Sequence, residues 1–206
     1  MTATTVRGLT VREAAERRRS IRDYDSTPVP RADLEAILQI AGLAPSAFNL
    51  QPWRFVVVED RELKAQVAAT AGSQQQISSA PAVIVLYTDT TDAVTAREEV
   101  LHPNHTPERR DRARYSIERA FGAKTDAERE TWGAAQAYIA LGYLLLAAES
   151  AGYQTSPMLG FNAESVKSAL ALPPHVRVPA LVAIGRGTED GLPHHRHPLG
   201  RIASFR

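Results

Sequence analysis

The sequence predicts an α+β fold, a sheet with helices packed on it, and three observations carry that expectation. Short apolar, β-branched runs, such as Phe55 to Val58 and Pro81 to Thr88, read as buried strands. Several other stretches place apolar residues three and four apart, as amphipathic helices do. These two kinds of segment mix without a regular strand–helix–strand alternation, which argues against a doubly wound parallel sheet. A chain of 206 residues suits one domain with a substantial core. We therefore read residues 1–206 as a single domain, with a polar insertion at about 89–130 and a C-terminal arm at about 186–206.

The elements follow in order. Thr10 with Glu13 is a capping-box pattern, so a short helix starts near Val11 and runs into Arg17, Arg18 and Arg19. Pro28 and Pro30 punctuate a loop. Leu34, Ile37, Leu38 and Ala41 then mark one helix face, which Gly42 and Pro45 end. Residues 55–58 form a first strand. Asp60 caps a helix through about Ala71, with Leu63 and Val67 inward, and residues 81–88 form a second strand. The polar stretch 89–130 carries Pro103, Pro107 and paired charges, with a helix around residues 109–120, and reads as a cover over a surface. Residues 131–150 form a helix apolar on most faces, stopped at Gly152; such a helix needs covering on all sides, so a homodimer is expected. Asn162 caps a helix that ends before Pro173, and residues 176–185 form a third strand. The tail 186–206 is rich in Gly, Pro, His and Arg.

The bulk numbers set limits on function. A formal net charge of +1, with 44% apolar and 23% charged residues, provides no broad field for nucleic acid or an anionic membrane. The absence of Cys removes disulfides, thiolate metal sites and thiol nucleophiles, which fits a reducing, cytoplasmic setting. No continuous apolar stretch occurs in residues 1–12, so no leader is expected, and the apolar run 137–148 is short for a bilayer.

Two segments ask for more than a core requires. Arg17-Arg18-Arg19-Ser20-Ile21-Arg22 gathers cations beside a hydroxyl at a helix end, and Ala44-Pro45-Ser46-Ala47-Phe48-Asn49-Leu50-Gln51-Pro52-Trp53 is a Pro-bounded loop of Ser, Asn and Gln before a strand. On composition alone, a solvated Arg cluster that offsets a helix dipole explains the first. Together, however, the two segments resemble the flavin-binding segments of the nitroreductase family, whose members use FMN to pass hydride from NAD(P)H to an electron-poor acceptor. The resemblance implies a central, mostly antiparallel sheet flanked by helices in an intertwined homodimer with shared flavin sites.

FMN makes three demands: cations and hydroxyls for its phosphate, small polar partners for its ribityl chain, and flat walls with hydrogen-bond donors for its ring. The resemblance assigns Arg18, Arg19 and Ser20 to the phosphate, and Arg22 to the ring near N1 and O2. There Arg22 is the candidate catalytic residue, a fixed cation that favours the reduced cofactor. Pro45, Ser46, Ala47, Asn49 and Gln51 belong to a loop offered to the partner's flavin. Ser73 and Gln76 match polar positions facing the ring. Pro157, Met158, Leu159 and Gly160 match the backbone passing near N5, where Leu159 replaces an acid found in some members. His194 and Arg196 match the last basic motif at the phosphate. The implied partners are NAD(P)H and a small-molecule electron acceptor such as a nitroaromatic or quinone, in a ping-pong cycle. Nothing carries over to residues 89–130.

Other readings stay beside this one. Arg22 also reads as a surface salt bridge to Asp23 or Asp25. A flavin-binding protein without turnover would use residues 89–130 to obstruct the substrate face. An interaction module would bind no flavin, and a specialised member of the family, a dehalogenase or flavin-cleaving enzyme, would keep the cofactor but change the acceptor. Gly185-Arg186-Gly187 with Gly191 lacks the helix start that a dinucleotide turn requires. The His residues at 102, 105, 194, 195 and 197 lack a well-placed carboxylate, so no metal is expected. No Gly-x-Ser-x-Gly elbow is present. Trp53 and Trp132 read as core or interface residues.

Overall fold

A computed structural model describes residues 8–206 of the chain. Part of the N-terminal stretch read for a leader, residues 1–7, lies outside the described residues. Four strands form one sheet in the order β1-β2-β4-β3: β1 (Trp53–Val58), β2 (Ala82–Thr88), β3 (Gln154–Met158) and β4 (Arg177–Gly185). All neighbouring pairs are antiparallel, with Val56 opposite Val85, Ile84 opposite Val182, and Ser156 opposite Ala183. The sequence reading has three strands; β3 is the fourth. Its Gln-Thr-Ser-Pro-Met lacks an apolar run, and Pro157 is tolerated because β3 lies at the sheet edge.

Strand alternation sends side chains to two cores. Ile84, Leu86, Val182 and Ile184 pack against α2 (Arg31–Gly42) and α7 (Asp126–Ser150), through Leu34, Ile37, Ala140 and Leu144. Val83, Val85, Leu181 and Ala183 face the other way, against Val67, Ile77 and Val166 of α3 (Arg61–Thr70), α4 (Gln75–Ser79) and α8 (Ala163–Ala169). The first helix, α1 (Val11–Arg17), has both arms of the expected capping box, and the Asp60 and Asn162 side chains accept from Leu63 and Ser165 N–H groups as expected of caps.

The long helix begins earlier than residue 131. A second capping box at Thr125 and Glu128 starts α7 at Asp126. Its first turn is polar and solvent-facing, so apolar periodicity sets in late. Residues 126–130, grouped by the sequence with the polar stretch, therefore belong to this helix. Glu130 is the exception to its polar setting: it is buried, accepting from the Thr88 hydroxyl and the Thr90 N–H, each at 2.6 Å. Gly133 lets the helix approach, since a Cβ there would lie 2.1 Å from Thr90 Oγ1. At 25 residues α7 is long and apolar enough to cross a membrane by length and composition, although the segment 137–148 alone is short. Here Ala137, Ala140, Leu144 and Ala148 are core residues.

The rest of 89–125 forms α5 (Thr90–Thr95), a 3₁₀ turn at Arg97–Val100 and α6 (Pro107–Phe121). These pack on a small core of their own, with Ala93, Val94, Ile117 and Phe121 around Leu50. Trp132 meets Phe121 edge-on at 4.8 Å, and Trp53 is buried in the main core. Beyond β4 the chain is irregular apart from the single turn α9 (Leu199–Ile202).

Candidate functional site

The Arg cluster sits where α1 stops, and the edge of the sheet fixes it. Ile21 N–H donates to the Thr155 carbonyl of β3 at 3.1 Å, and Tyr24 bridges to Gly187, so residues 20–24 run between β3 and the 187–191 turn. Gly191, at φ +67, brings that turn against Arg19, whose Cβ a side chain at 191 would meet at 2.9 Å. The chain then returns so that His194 Nε2 lies 3.1 Å from the Ala15 carbonyl of α1.

This path brings the first and last basic motifs together. Arg18, Arg19, Ser20, Arg22, His194 and Arg196 line one cleft of about 180 Å³. Their charges are not spent alike. Arg19 Nη1 donates to the carbonyls of Glu16, Arg17 and Arg18, at 2.7, 2.9 and 3.1 Å, and so caps α1 as the solvated-cluster reading has it. Arg18 is half-buried, and its Nη1 has no hydrogen-bond partner among the described residues. Burial and the neighbouring Arg196 both lower its pKa. A buried guanidinium donor beside a like charge is unfavourable on its own and suits an anion.

Arg22 is exposed, and its backbone N–H donates to Glu189 Oε1 at 2.7 Å. The ion-pair partners suggested by sequence are engaged elsewhere: the Thr188 hydroxyl donates to Asp23 and the Thr27 N–H to Asp25. Among the described residues no ion pair involves Arg22.

A second group forms around β3 and α4. Gln74 Nε2 donates to the Gly160 carbonyl at 2.9 Å and Gln76 Nε2 donates to Gln74 Oε1, tying the Ser73 and Gln76 turn to the segment Pro157, Met158, Leu159, Gly160. Ser73 takes a positive φ of 53° and is exposed; Gln76 is buried. Leu159 is exposed.

The loop from Pro45 to Gln51 lines neither the basic cleft nor this group. Phe48, Asn49 and Gln51 all have positive φ, an unfavourable backbone for side chains with a Cβ. The loop is over-determined by contacts. Ala47 N–H donates to Gln136 of α7, Gln51 N–H to Ser46 Oγ, and Asn49 Nδ2 to the Val100 carbonyl. Phe48 meets Phe121 edge-on at 5.9 Å. Residues 89–125 therefore act as the buttress of this loop.

Sequence reasoning missed two residues here. Gln74 and Glu189 show only as polar residues in loops. Their roles arise from contacts across the chain. The His102 and His105 rings are tilted 5.5 Å apart, and among the described residues no cluster of His, Asp or Glu could hold a metal.

An antiparallel sheet with helices on both faces, and a cleft lined by Arg18, Arg19, Arg22, His194 and Arg196 at the edge of that sheet, define an α+β protein with a basic cleft. The chain belongs to the nitroreductase family, whose family model matches residues 15–186. It is 47% identical over 198 residues to an NADH dehydrogenase of Thermus thermophilus, covering 96% of this chain and 97% of that one. It is 30% identical over 202 residues to YdgI of Bacillus subtilis (strain 168), a candidate NAD(P)H nitroreductase, covering 94% and 96%. A candidate nitroreductase of Exiguobacterium sibiricum 255-15, solved in complex with FMN, superimposes with a TM-score of 0.85 at 30% identity, covering 98% of this chain and all of that one.

Proposed function

We propose that this chain holds FMN with its phosphate in the cleft of Arg18, Ser20 and Arg196, and uses it to carry hydride from NAD(P)H to a small electron-poor acceptor. As a member of the nitroreductase family it is an FMN-dependent NAD(P)H oxidoreductase. The acceptor class, a nitroaromatic or quinone, and the alternation of donor and acceptor at one site are our reading. The observation that carries it is the buried, unpartnered Nη1 of Arg18 inside a cation-lined cleft.

FMN, when bound, supplies the hydride-accepting and hydride-donating chemistry. The chain's residues bind and orient. Arg18 and Arg196 provide charge and Ser20 a hydroxyl for the phosphate; Arg19 fixes the end of α1 that presents them. Arg22 has no competing ion pair among the described residues and is the cation we assign to the ring, where it favours the reduced state. Ser73 and Gln76, held by Gln74, and the backbone at 157–160 are the proposed ring neighbours.

We also propose a homodimer in which the Pro45 to Gln51 loop serves the partner's flavin. Two features support it: the loop stands apart from its own cleft, and apolar side chains lie exposed on α2, α7 and the C-terminal arm. Ile40, Tyr138, Ile139, Tyr143, Leu192 and Phe205 are all at least 39% exposed. Reliance on NAD(P)H makes the cytoplasm the proposed compartment.

Visible spectra of the purified protein with and without NADH or NADPH, together with steady-state rates against both substrates, test this reading. A yellow protein bleached by the nucleotide, with parallel double-reciprocal lines, is expected. A colourless protein that takes up no FMN overturns the cofactor reading, and intersecting lines overturn the shared-site cycle.

A further inference from the structure

The loop from Pro45 to Gln51 keeps a backbone that its own residues disfavour. Phe48, Asn49 and Gln51 sit at φ of 58°, 57° and 46°, and of these only Asn tolerates the left-handed region readily. No glycine occurs between Gly42 and Gly72 to relieve it. Bonds within the loop, from Gln51 N–H to Ser46 Oγ at 2.9 Å and from Gln51 Nε2 to Asn49 Oδ1 at 3.1 Å, close the turn but do not orient it on the protein. Contacts from outside have to do that.

Two of those contacts come from neighbouring turns of α7. That helix is locked to β2 at its start, where Glu130 accepts from Thr88 and Thr90 and Gly133 allows the close approach. Trp132 and Gln136, four residues apart, then lie on one face of it. Trp132 meets Phe121 edge-on at 4.8 Å, and Phe121 meets Phe48 edge-on at 5.9 Å. Gln136 reaches the loop directly, its Oε1 accepting from the Ala47 N–H at 3.0 Å. A backbone N–H can only donate, so this bond fixes the Gln136 amide with its oxygen toward the loop. Among the described residues no other side chain outside the loop accepts from its backbone.

We propose that Gln136 is a positioning residue for the flavin, acting through the Ala47 N–H to hold the 45–51 loop in its strained, flavin-serving conformation. This rests on the FMN reading above and on the loop's place at the flavin. Ala47 is exposed, so when the Gln136 acceptor is removed water takes over its N–H and folding stability changes little. Water cannot hold the loop against relaxation of its three left-handed residues. A fraction of the loops then leaves the binding geometry, and the apparent affinity for flavin falls by that fraction. The loop carries no charged residue and stands apart from the basic cleft, so the loss does not depend on the phosphate.

The test titrates FMN and riboflavin into the full-length chain freed of flavin, by fluorescence quenching, beside urea unfolding of the flavin-free protein. Gln136→Met keeps the length of the side chain and drops the acceptor. It should weaken both flavins alike, by about three- to tenfold, with the urea midpoint nearly unchanged. Gln136→Glu keeps an acceptor at the same reach and should return both affinities to within about twofold of wild type. The proposal is overturned if Gln136→Met binds both flavins as wild type does, if its loss is confined to FMN, if Gln136→Glu is equally weak, or if the urea midpoint falls in proportion to affinity. Should Gln136→Met fail to fold, Gln136→Ala is read by the same criteria. A wild-type chain that binds neither flavin defeats the FMN reading itself, whereas flavin binding that survives loss of the acceptor defeats this proposal alone.

Discussion

Arg18→Ala tests the proposed phosphate site most directly. In this structure Arg18 Nη1 is already buried without a partner, so most of the cost of removing it from water is met before the phosphate arrives. A charge-assisted hydrogen bond to phosphate is worth about 1.5–3 kcal/mol. The like charge of Arg196 beside Arg18, whose repulsion the anion relieves, adds to that. Losing the side chain should weaken FMN by about 2–4 kcal/mol, or roughly 30- to 700-fold at 1.4 kcal/mol per tenfold. Riboflavin has no phosphate, so its affinity should hardly change. Quenching of flavin fluorescence, with FMN and riboflavin titrated in parallel at fixed ionic strength, reads both. Arg18→Lys keeps the charge and loses the planar fork, so an intermediate loss is expected. Thermal melts check that each variant stays folded. FMN affinity within about threefold of wild type, or an equal loss of riboflavin, would refute the placement of the phosphate.

Arg22→Gln should lower the two-electron reduction potential of the bound flavin by roughly 20–65 mV, for a differential interaction of about 1–3 kcal/mol, and should slow reduction by NAD(P)H. Spectroelectrochemistry reads it, and an unchanged potential in a folded, loaded variant removes Arg22 from the ring. Glu130→Ala leaves the buried Thr90 N–H without its 2.6 Å acceptor and should cost about 3 kcal/mol in urea unfolding; a loss under 1 kcal/mol would show that the α7 to β2 junction does not depend on it. Burial raises Glu130 above its ordinary value, so its favourable contribution is full below the usual carboxylate range and is lost as pH rises through the raised value. Glu130→Gln should flatten that decline in stability with pH, and an unaltered slope would assign it elsewhere. Ile139→Glu combined with Tyr143→Glu should yield a monomer by light scattering that no longer retains flavin; a flavin-loaded monomer would contradict the shared site.

Much of the chain was legible because its causes are local. Thr10, Asp60 and Asn162 cap helices through atoms three residues away, and the β-branched runs of β1, β2 and β4 need only their own side chains to announce a buried strand. The Arg18 to Arg22 motif and the Pro45 to Trp53 loop were visible for the same reason, as contiguous residue types, and with the family resemblance they pointed to FMN. Tertiary structure alone decided the rest. β3 is a strand because the edge of β4 pairs with it, not because Gln-Thr-Ser-Pro-Met prefers to extend. Glu130 reads as one more charge of a polar stretch until Thr88 and Thr90 claim it in the interior. Arg18 becomes distinct from Arg19 only when one guanidinium is turned back onto the carbonyls of α1 and the other is buried beside Arg196. Composition counts those two residues as the same cation. Hydrogen bonding to the carbonyls of its own helix end makes one a helix cap, and burial beside a residue distant in sequence sets the other apart, because the cost of a buried charge depends on its surroundings rather than on its identity.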